Sequence, residues 1–307
     1  RRVAADRKEN GFSDRKILGK RSLNRRVRRA LNMKIKYLGT AAAEGIPALF
    51  CRCDICKEAR KRGGREIRTR SQAIIDEKLL IDFPADSYLH ILHYNMDFSS
   101  IEHLLITHSH DDHFYPFDLL MRMSEYGHDM GAKVLHIYGN SVVGNLLKEF
   151  SDRFSVPEVW NYMQFHELTP FEKFKIEDYT IYPLPSRHMR TETALIYLIE
   201  HNGKTILYGN DSSMFYDEVW EFLKGRTLDC VSLDCTMGRT PSNFSHMNYE
   251  DNVAVKKRLE ELGCTTPDTR WICVHFSHNG QMLYREMTEL AAVDNFEVAW
   301  DGMEVGF

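Results

Sequence analysis

The segment His108-Ser109-His110-Asp111-Asp112-His113 constrains this chain more than any other, because it packs ligand-type side chains directly behind the apolar run Leu104-Leu105-Ile106-Thr107. Residues of a β-strand point alternately to opposite faces, so a strand cannot turn this set to one side. A tight loop at the strand end can splay His108, His110, Asp112 and His113 around two points in space. Imidazole suits zinc, iron and manganese, and a carboxylate among histidines suits an open catalytic site rather than a closed structural one. The pattern predicts a dinuclear hydrolytic centre and is silent about substrate. A solvated turn would explain two scattered histidines, but not four ligand types in this order.

Composition bounds the rest. The 307 residues suffice for one large domain or two small ones. No apolar run reaches the roughly 18 residues a membrane span needs. The first residues have no apolar stretch followed by small residues, so no secretory signal is expected. Seven cysteines, an odd number, then favour a reducing, cytoplasmic setting in which clustered cysteines mean metal and scattered ones mean core. Residues 1–32 carry twelve Lys/Arg against three Asp/Glu, although the whole chain is at −4. Such an arm can meet nucleic acid or anionic surfaces. The abrupt change at Met33 to the strand-like Met33–Leu38 makes it read instead as a basic N-terminal extension, residues 1–32, on a domain spanning 33–307.

Short runs rich in Ile, Leu, Val and Tyr predict strands at Met33–Leu38, Gln72–Ile75, Lys78–Asp82, Ile101–Thr107, Lys133–Tyr138, Thr180–Leu184, Ala194–Glu200, Thr205–Tyr208, Asp229–Asp234, Trp271–Phe276 and Phe296–Phe307. Helical patterns fall at Phe114–Tyr126, Ser141–Phe150, Met214–Leu223, Asp251–Leu262 and Gln281–Ala292, with Val253, Ala254 and Leu259 on one side of the fourth. This order predicts an α/β domain of two sheets packed face to face with helices outside.

Further ligand-type residues follow strand-like runs. They are His188 after Tyr182–Ser186, Asp211 after Thr205–Asn210, and His275 after Trp271–Val274. Each alone reads more readily as a core or loop residue; their shared placement suggests loops converging at one edge of a sandwich. Cys51-Arg52-Cys53-Asp54-Ile55-Cys56 brings three thiols together in a polar setting, one short of a closed tetrahedral zinc site. Cys230, Cys235, Cys264 and Cys273 sit in or near apolar segments and read as core thiols. His246 lies in a polar loop ahead of the Asp251–Leu262 pattern, where a helix-capping role is as natural as chemistry. Arg187 and Arg190 flank His188 and can meet an anion or simply face solvent. No glycine-rich phosphate loop precedes a helix, which argues against a nucleoside-triphosphate enzyme.

Taken with Gly39–Ala48 near the start and Trp300–Gly306 near the end, these positions resemble the metallo-β-lactamase superfamily. Its pattern is His-x-His-x-Asp-His, a distant His, an Asp and a last His. Within it the chain is most similar to the phosphoribosyl 1,2-cyclic phosphate phosphodiesterase family of phosphonate breakdown, with the likeness running from about Met33 to Phe307. The resemblance implies a four-layer αββα sandwich with the site at one edge. It implies that His108, His110 and His188 hold one divalent ion, that Asp112, His113 and His275 hold another, and that Asp211 bridges both. Two such ions lower the pKa of a bridging water, giving a hydroxide competent at a phosphoryl centre; Zn2+ and Mn2+ both fit the ligand set. It further implies a structural zinc on Cys51, Cys53, Cys56 and His278, catalytic roles for His246 and Asp112, with His246 the general acid for the leaving alkoxide, and a supporting place for Asp301.

The function these expectations favour is hydrolysis of a small cyclic phosphate on a phosphorylated ribose, without membrane or nucleic-acid partners; a homodimer is compatible with the chain. The rival inside the superfamily is a tRNA 3′-processing endonuclease, for which no Gly/Pro/Lys-rich insertion resembling an RNA-gripping arm is present. Lactone or thioester hydrolysis stays open, because the same hydroxide attacks carbonyls. A binding module that only kept the fold is disfavoured by a full ligand set that is costly to bury without metal.

Overall fold

The computed structural model describes residues 33–307; the basic extension lies outside them. Alternation of apolar side chains along the strands builds the layers. In β9 (Leu195–His201), Leu195, Tyr197 and Ile199 face one way while Ile196 and Leu198 face the other, and in β10 (Lys204–Gly209) Ile206 and Tyr208 oppose Leu207. Both faces of both strands are buried, as a sheet covered on two sides requires.

Two seven-stranded sheets result. The first has β1 (Lys34–Gly39), β2 (Gln72–Ile75), β3 (Leu79–Ile81), β4 (His103–Leu105), β5 (Leu135–Gly139) and β6 (Met163–Glu167) side by side, with β14 (Glu304–Gly306) against β1. The second runs from β7 (Phe174–Ile176) through β8 (Tyr179–Pro185), β9, β10, β11 (Cys230–Asp234) and β12 (Arg270–Val274) to β13 (Glu297–Val298). Ile35, Tyr37, Ile75, Tyr197 and Tyr208 pack between the sheets. Helix α3 (Ser141–Phe154) covers the outer face of the first sheet through Val143 and Leu147. Helices α4 (Asp217–Leu223), α5 (Tyr249–Glu261) and α6 (Tyr284–Ala291) cover the second through Val219, Trp220, Val255, Leu259 and Met287. The architecture is the four-layer αββα sandwich expected from the sequence.

Parallel pairing decides where a site can form. Strands β3 to β6 are mutually parallel, as are β10 to β13. Their C-terminal ends therefore open at one edge, where loops of an α/β sheet gather ligands.

Several elements depart from the sequence expectations, each for a local reason. Phe114–Tyr126 forms only a 3-10 turn, Pro116–Arg122, with Pro at its start. Phe296–Phe307 is not one strand: a turn through Asp301 and Gly302 (φ 94°) splits it into β13 and β14, which join different sheets. Helix α5 begins at Tyr249, set by a capping box between Asn248 and Asp251, and it buries Val255 while exposing Ala254. Helix α1 (Asp54–Arg62) escapes apolar periodicity because it buries only Cys56 and Ala59. Helix α2 (Ser87–Tyr94) inverts it, burying Ser87 and His90 and exposing Tyr88 and Leu92. Strands β6 and β7 are a half-exposed edge and a three-residue segment, both too weakly patterned to read.

At the end of β1 the chain runs so close to Arg70 that a Cβ on Gly39 would lie 1.9 Å from the Arg70 carbonyl oxygen. Backbone cannot step aside as a flexible side chain can. Gly39→Ala is expected to cost upwards of ~2 kcal/mol of stability, as overpacking does, read as a lower urea midpoint with unchanged slope.

Candidate metal centre

Seven side chains converge at the open edge, each from the end of a strand. His108, His110, Asp112 and His113 come from the loop after β4, His188 from beyond β8, Asp211 from beyond β10 and His275 from beyond β12. They divide into two groups whose ligand atoms lie within 4.8 Å of one another: His108, His110 and His188, and Asp112, His113, Asp211 and His275. In the first, His110 Nδ1 is 3.0 Å from His108 Nε2 and 3.2 Å from His188 Nε2. In the second, Asp211 Oδ2 is 2.8 Å from His113 Nε2 and Asp211 Oδ1 is 2.8 Å from His275 Nε2. Asp211 also reaches the first group, with Oδ2 3.3 Å from His108 Nε2. Asp111 is exposed and turned out of both.

For His108, His113, His188 and His275 the outer ring nitrogen, Nδ1, fixes which way the imidazole faces. His113 Nδ1 donates to Asp82 Oδ2 at 2.7 Å. His275 Nδ1 lies 2.8 Å from Thr236 Oγ1, whose own proton goes to the His275 carbonyl. His188 Nδ1 is 3.3 Å from the Ser245 carbonyl, and His108 Nδ1 is 3.0 Å from Thr107 Oγ1, which donates to Asp82. With those protons placed, each Nε2 presents a lone pair inward, as metal-ligating histidines do. The lone pairs of His113 and His275 then confront the Asp211 carboxylate, whose Oδ1 has no hydrogen-bond donor. Bound cations relieve that arrangement, as do protons taken up on the ring nitrogens. Burial would favour a neutral His113, yet Asp211, Asp112 and Asp82 together raise its pKa well above the ordinary value. Burial of Asp211 is likewise outweighed, by His275, His113 and His188, which hold its carboxyl well below the usual range. The pocket attracts positive charge, and the donor set fits two divalent ions.

The backbone is bent to serve this edge. Asp82, Asp211 and His275 all adopt left-handed conformations, with φ of 64°, 49° and 61°. Such non-glycine residues are uncommon and cluster at functional sites.

His246 completes the wall. Its Nδ1 donates to Asp234 Oδ2 at 2.7 Å, and its ring stacks 5.7 Å from His275. Asp234 is fully buried and also accepts from the Thr236 and Met247 backbone N–H groups. Its oxygens are thus taken, although it lies within ligand distance of Asp211 and His275. Burial alone would lower the His246 pKa, but Asp234, with Asp211 and Asp112 behind it, raises it to about 9. His246 borders a cavity of about 470 Å3 with His110, Asp112, His188, Asp211 and His275, which also takes in Glu44 and Ser277. Arg187 and Arg190 do not line this cavity: their guanidinium groups lie over Tyr216 and Phe244, each 4.6 Å from the ring centroid. Asp301 is also set back, accepting from the Thr40 and Thr69 hydroxyls and the Thr69 N–H to pin the two chain segments beside the site. Asp82 and Asp234 were not singled out from sequence. Asp82 ends a buried strand and Asp234 closes β11, the same signal that marked Asp211 and His275, but nothing nearby in sequence distinguishes them.

Beside this edge Cys51, Cys53, Cys56 and His278 form a further ligand group. His278 Nδ1 is 3.6 Å from Cys51 Sγ and 3.4 Å from Cys53 Sγ. Zn–S and Zn–N bonds of about 2.3 and 2.0 Å give tetrahedral edges of about 3.5 Å, so the spacing fits zinc. Backbone N–H groups already point at the thiols: Cys53 N donates to Cys51, Cys56 N to Cys53 and Ala48 N to Cys56. Cys51 is lowered by the Cys53 N–H, whereas burial raises Cys56 to about 11. The other four cysteines are fully buried.

A family model described as "Anti-Pycsar protein Apyc1" matches residues 72–264, more than half of the chain. Among curated proteins, an octanoyltransferase of Porphyromonas gingivalis is 26% identical over 166 residues, 52% of this chain and 31% of that protein. The chain thus spans less than a third of the length of the curated relative it matches. Solved structures sharing its fold include a diphosphatase from the PhnP family, 21% identical with a TM-score of 0.70 over 90% of this chain and 97% of that one. Zn2+-bound PqqB from Methylobacterium extorquens is 17% identical, TM-score 0.68, over 89% and 99%. Human tRNase Z, short form, is 16% identical, TM-score 0.62, over 89% and 98%. At these identities the likeness is one of fold, and that fold is the metallo-β-lactamase sandwich.

Removing the carboxylate behind His113 should loosen the second ligand group. Asp82→Asn is expected to weaken metal retention there about 10–100-fold, as loss of such outer partners typically does, measured as ions kept against graded chelator. Cys53→Ser should lower zinc content by about one ion per chain if the four-residue group holds zinc; undiminished zinc in elemental analysis would refute it.

Proposed function

The chain belongs to the Apyc1 family, and from that premise we propose that it is a dinuclear metal-dependent phosphodiesterase that opens a small cyclic phosphate, such as a phosphoribosyl 1,2-cyclic phosphate, in the cytoplasm. In this reading His108, His110 and His188 hold one divalent ion, Asp112, His113 and His275 the other, and Asp211 spans both. Ions so held would supply Lewis acidity toward phosphoryl oxygens and activate water near neutral pH. Zinc or manganese meets the ligand chemistry. A third ion, zinc, is assigned to Cys51, Cys53, Cys56 and His278, where it ties the loop before α1 to the wall of the cavity.

One observation carries the reading of a bond cleavage that releases an alkoxide, as the opening of a cyclic phosphate does. His246 stands at the cavity wall beside Asp211 with its Nδ1–H held by Asp234, so the proton on its Nε2 is the one free to move. Opening a cyclic phosphate expels a ribose alkoxide, which needs a proton as the bond breaks. Asp234 fixes the ring and stabilises the imidazolium before transfer. In this reading Asp112, which lines the same cavity, orients the attacking water as well as serving as a ligand. The cavity of about 470 Å3 suits a sugar phosphate. No helix among the described residues is long and apolar enough to cross a membrane.

The test compares metal-quantified protein on a ribose 1,2-cyclic phosphate, a 2′,3′-cyclic nucleotide, a pre-tRNA and a lactone. Turnover concentrated on the cyclic phosphates is expected; preference for the pre-tRNA or the lactone would replace this reading. His246→Ala should cut kcat by about 10²–10⁴-fold on alkoxide leaving groups while sparing activated aryl esters. Equal losses on both would take His246 out of the acid role.

A further inference from the structure

The three imidazoles of the first group come from loops of different sheets. His108 and His110 follow β4 of the first sheet, and His188 lies between β8 and β9 of the second. Hydrogen bonding within either sheet does not fix the distance between those loops, so contacts from one sheet to the other must do it. The loop that carries His188 also carries Glu192. Its Oε1 accepts from both the backbone N–H and the hydroxyl of Ser109, at 3.0 and 2.5 Å, and Ser109 is the residue between His108 and His110. Its Oε2 accepts from Asn140 Nδ2 at 2.7 Å. Asn140 cannot turn its amide over, because its Oδ1 caps helix α3 by accepting from the Val142 and Val143 N–H groups. Close by, Leu195 N donates to the Thr107 carbonyl, a backbone bond across the same seam.

We propose that Glu192 is a positioning residue for the His108–His110–His188 metal site, clamping the motif loop of one sheet to the His188 loop of the other. This rests on reading those three histidines as metal ligands. Ser109 offers two donors in one direction, and a carboxylate is the acceptor that takes both through one oxygen while its second oxygen is anchored to a helix cap. The clamp sets the spread of the three ring nitrogens before an ion arrives. Glu192 also lines a second cavity of about 580 Å3, alongside Arg190 and Phe244.

The test is a Co2+ titration of the full chain, followed by visible absorption, for the native protein, Glu192→Ala, Glu192→Gln and His110→Ala. Glu192→Ala should weaken binding at the three-histidine site about 10–100-fold, the size typical of lost outer partners, and leave the Asp112/His113/His275 site at native affinity. Glu192→Gln keeps an acceptor for Ser109 but turns a donor toward Asn140, so it should fall between the two; it also carries the test should the alanine variant fail to fold. Equal weakening of both sites, or no weakening of either, overturns the clamp. His110→Ala must abolish binding at the three-histidine site alone; if it does not, the ligand assignment fails, and the clamp with it.

Discussion

Everything at the open edge answers to one electrostatic conflict. Asp211 offers both carboxylate oxygens to imidazole nitrogens whose protons are committed elsewhere, to Asp82 and Thr236. In a buried, low-dielectric setting, facing lone pairs repel strongly. A protein can carry such an arrangement only where positive charge is to be placed. The outer partners are therefore as much a part of the site as the ligands, since each decides which nitrogen is left bare. Two sheets with parallel halves are the scaffold that lets strand ends supply these groups from both sides.

The candidate ligand group is legible in the sequence because ligand types are rare and their order is dense. His108 to His113 announce themselves in six residues. His188, Asp211 and His275 became persuasive only through a resemblance, for each alone is an ordinary residue at a strand end. Asp82 and Asp234 show the limit. Their role is to accept a hydrogen bond from a ring brought near by folding, Asp82 from His113 31 positions away, and no local pattern encodes that meeting. Among the secondary elements the same division holds. Strands buried on both faces read clearly from Ile, Val and Leu, whereas α1 and α2 were missed because one buries little and the other hides His90 and shows Tyr88.

The cysteine group and the histidine centre are physically continuous. His278 follows His275 by three residues, and Ser277 between them donates to Glu44, which lines the cavity and lies 3.6 Å from His278 Nε2. Helix α1 enters through the same thiols: Cys53 Sγ accepts the Cys56 N–H at the helix start, where serine or asparagine would ordinarily serve. One short stretch thus caps a helix and gathers thiols, and through His278 it adjoins Ser277 and Asn279, which line the cavity.

The left-handed backbone at Asp82, Asp211 and His275 limits what these positions can become. Outside glycine, that conformation is most readily taken by Asn, Asp and His. The candidate ligand role and the hydrogen-bond-accepting role behind it draw on Asp and His. The intersection leaves a substitution alphabet of two letters at three places on the rim. Drift there is restricted twice over, by main chain and by chemistry, while neighbouring ligands in ordinary backbone are restricted only once.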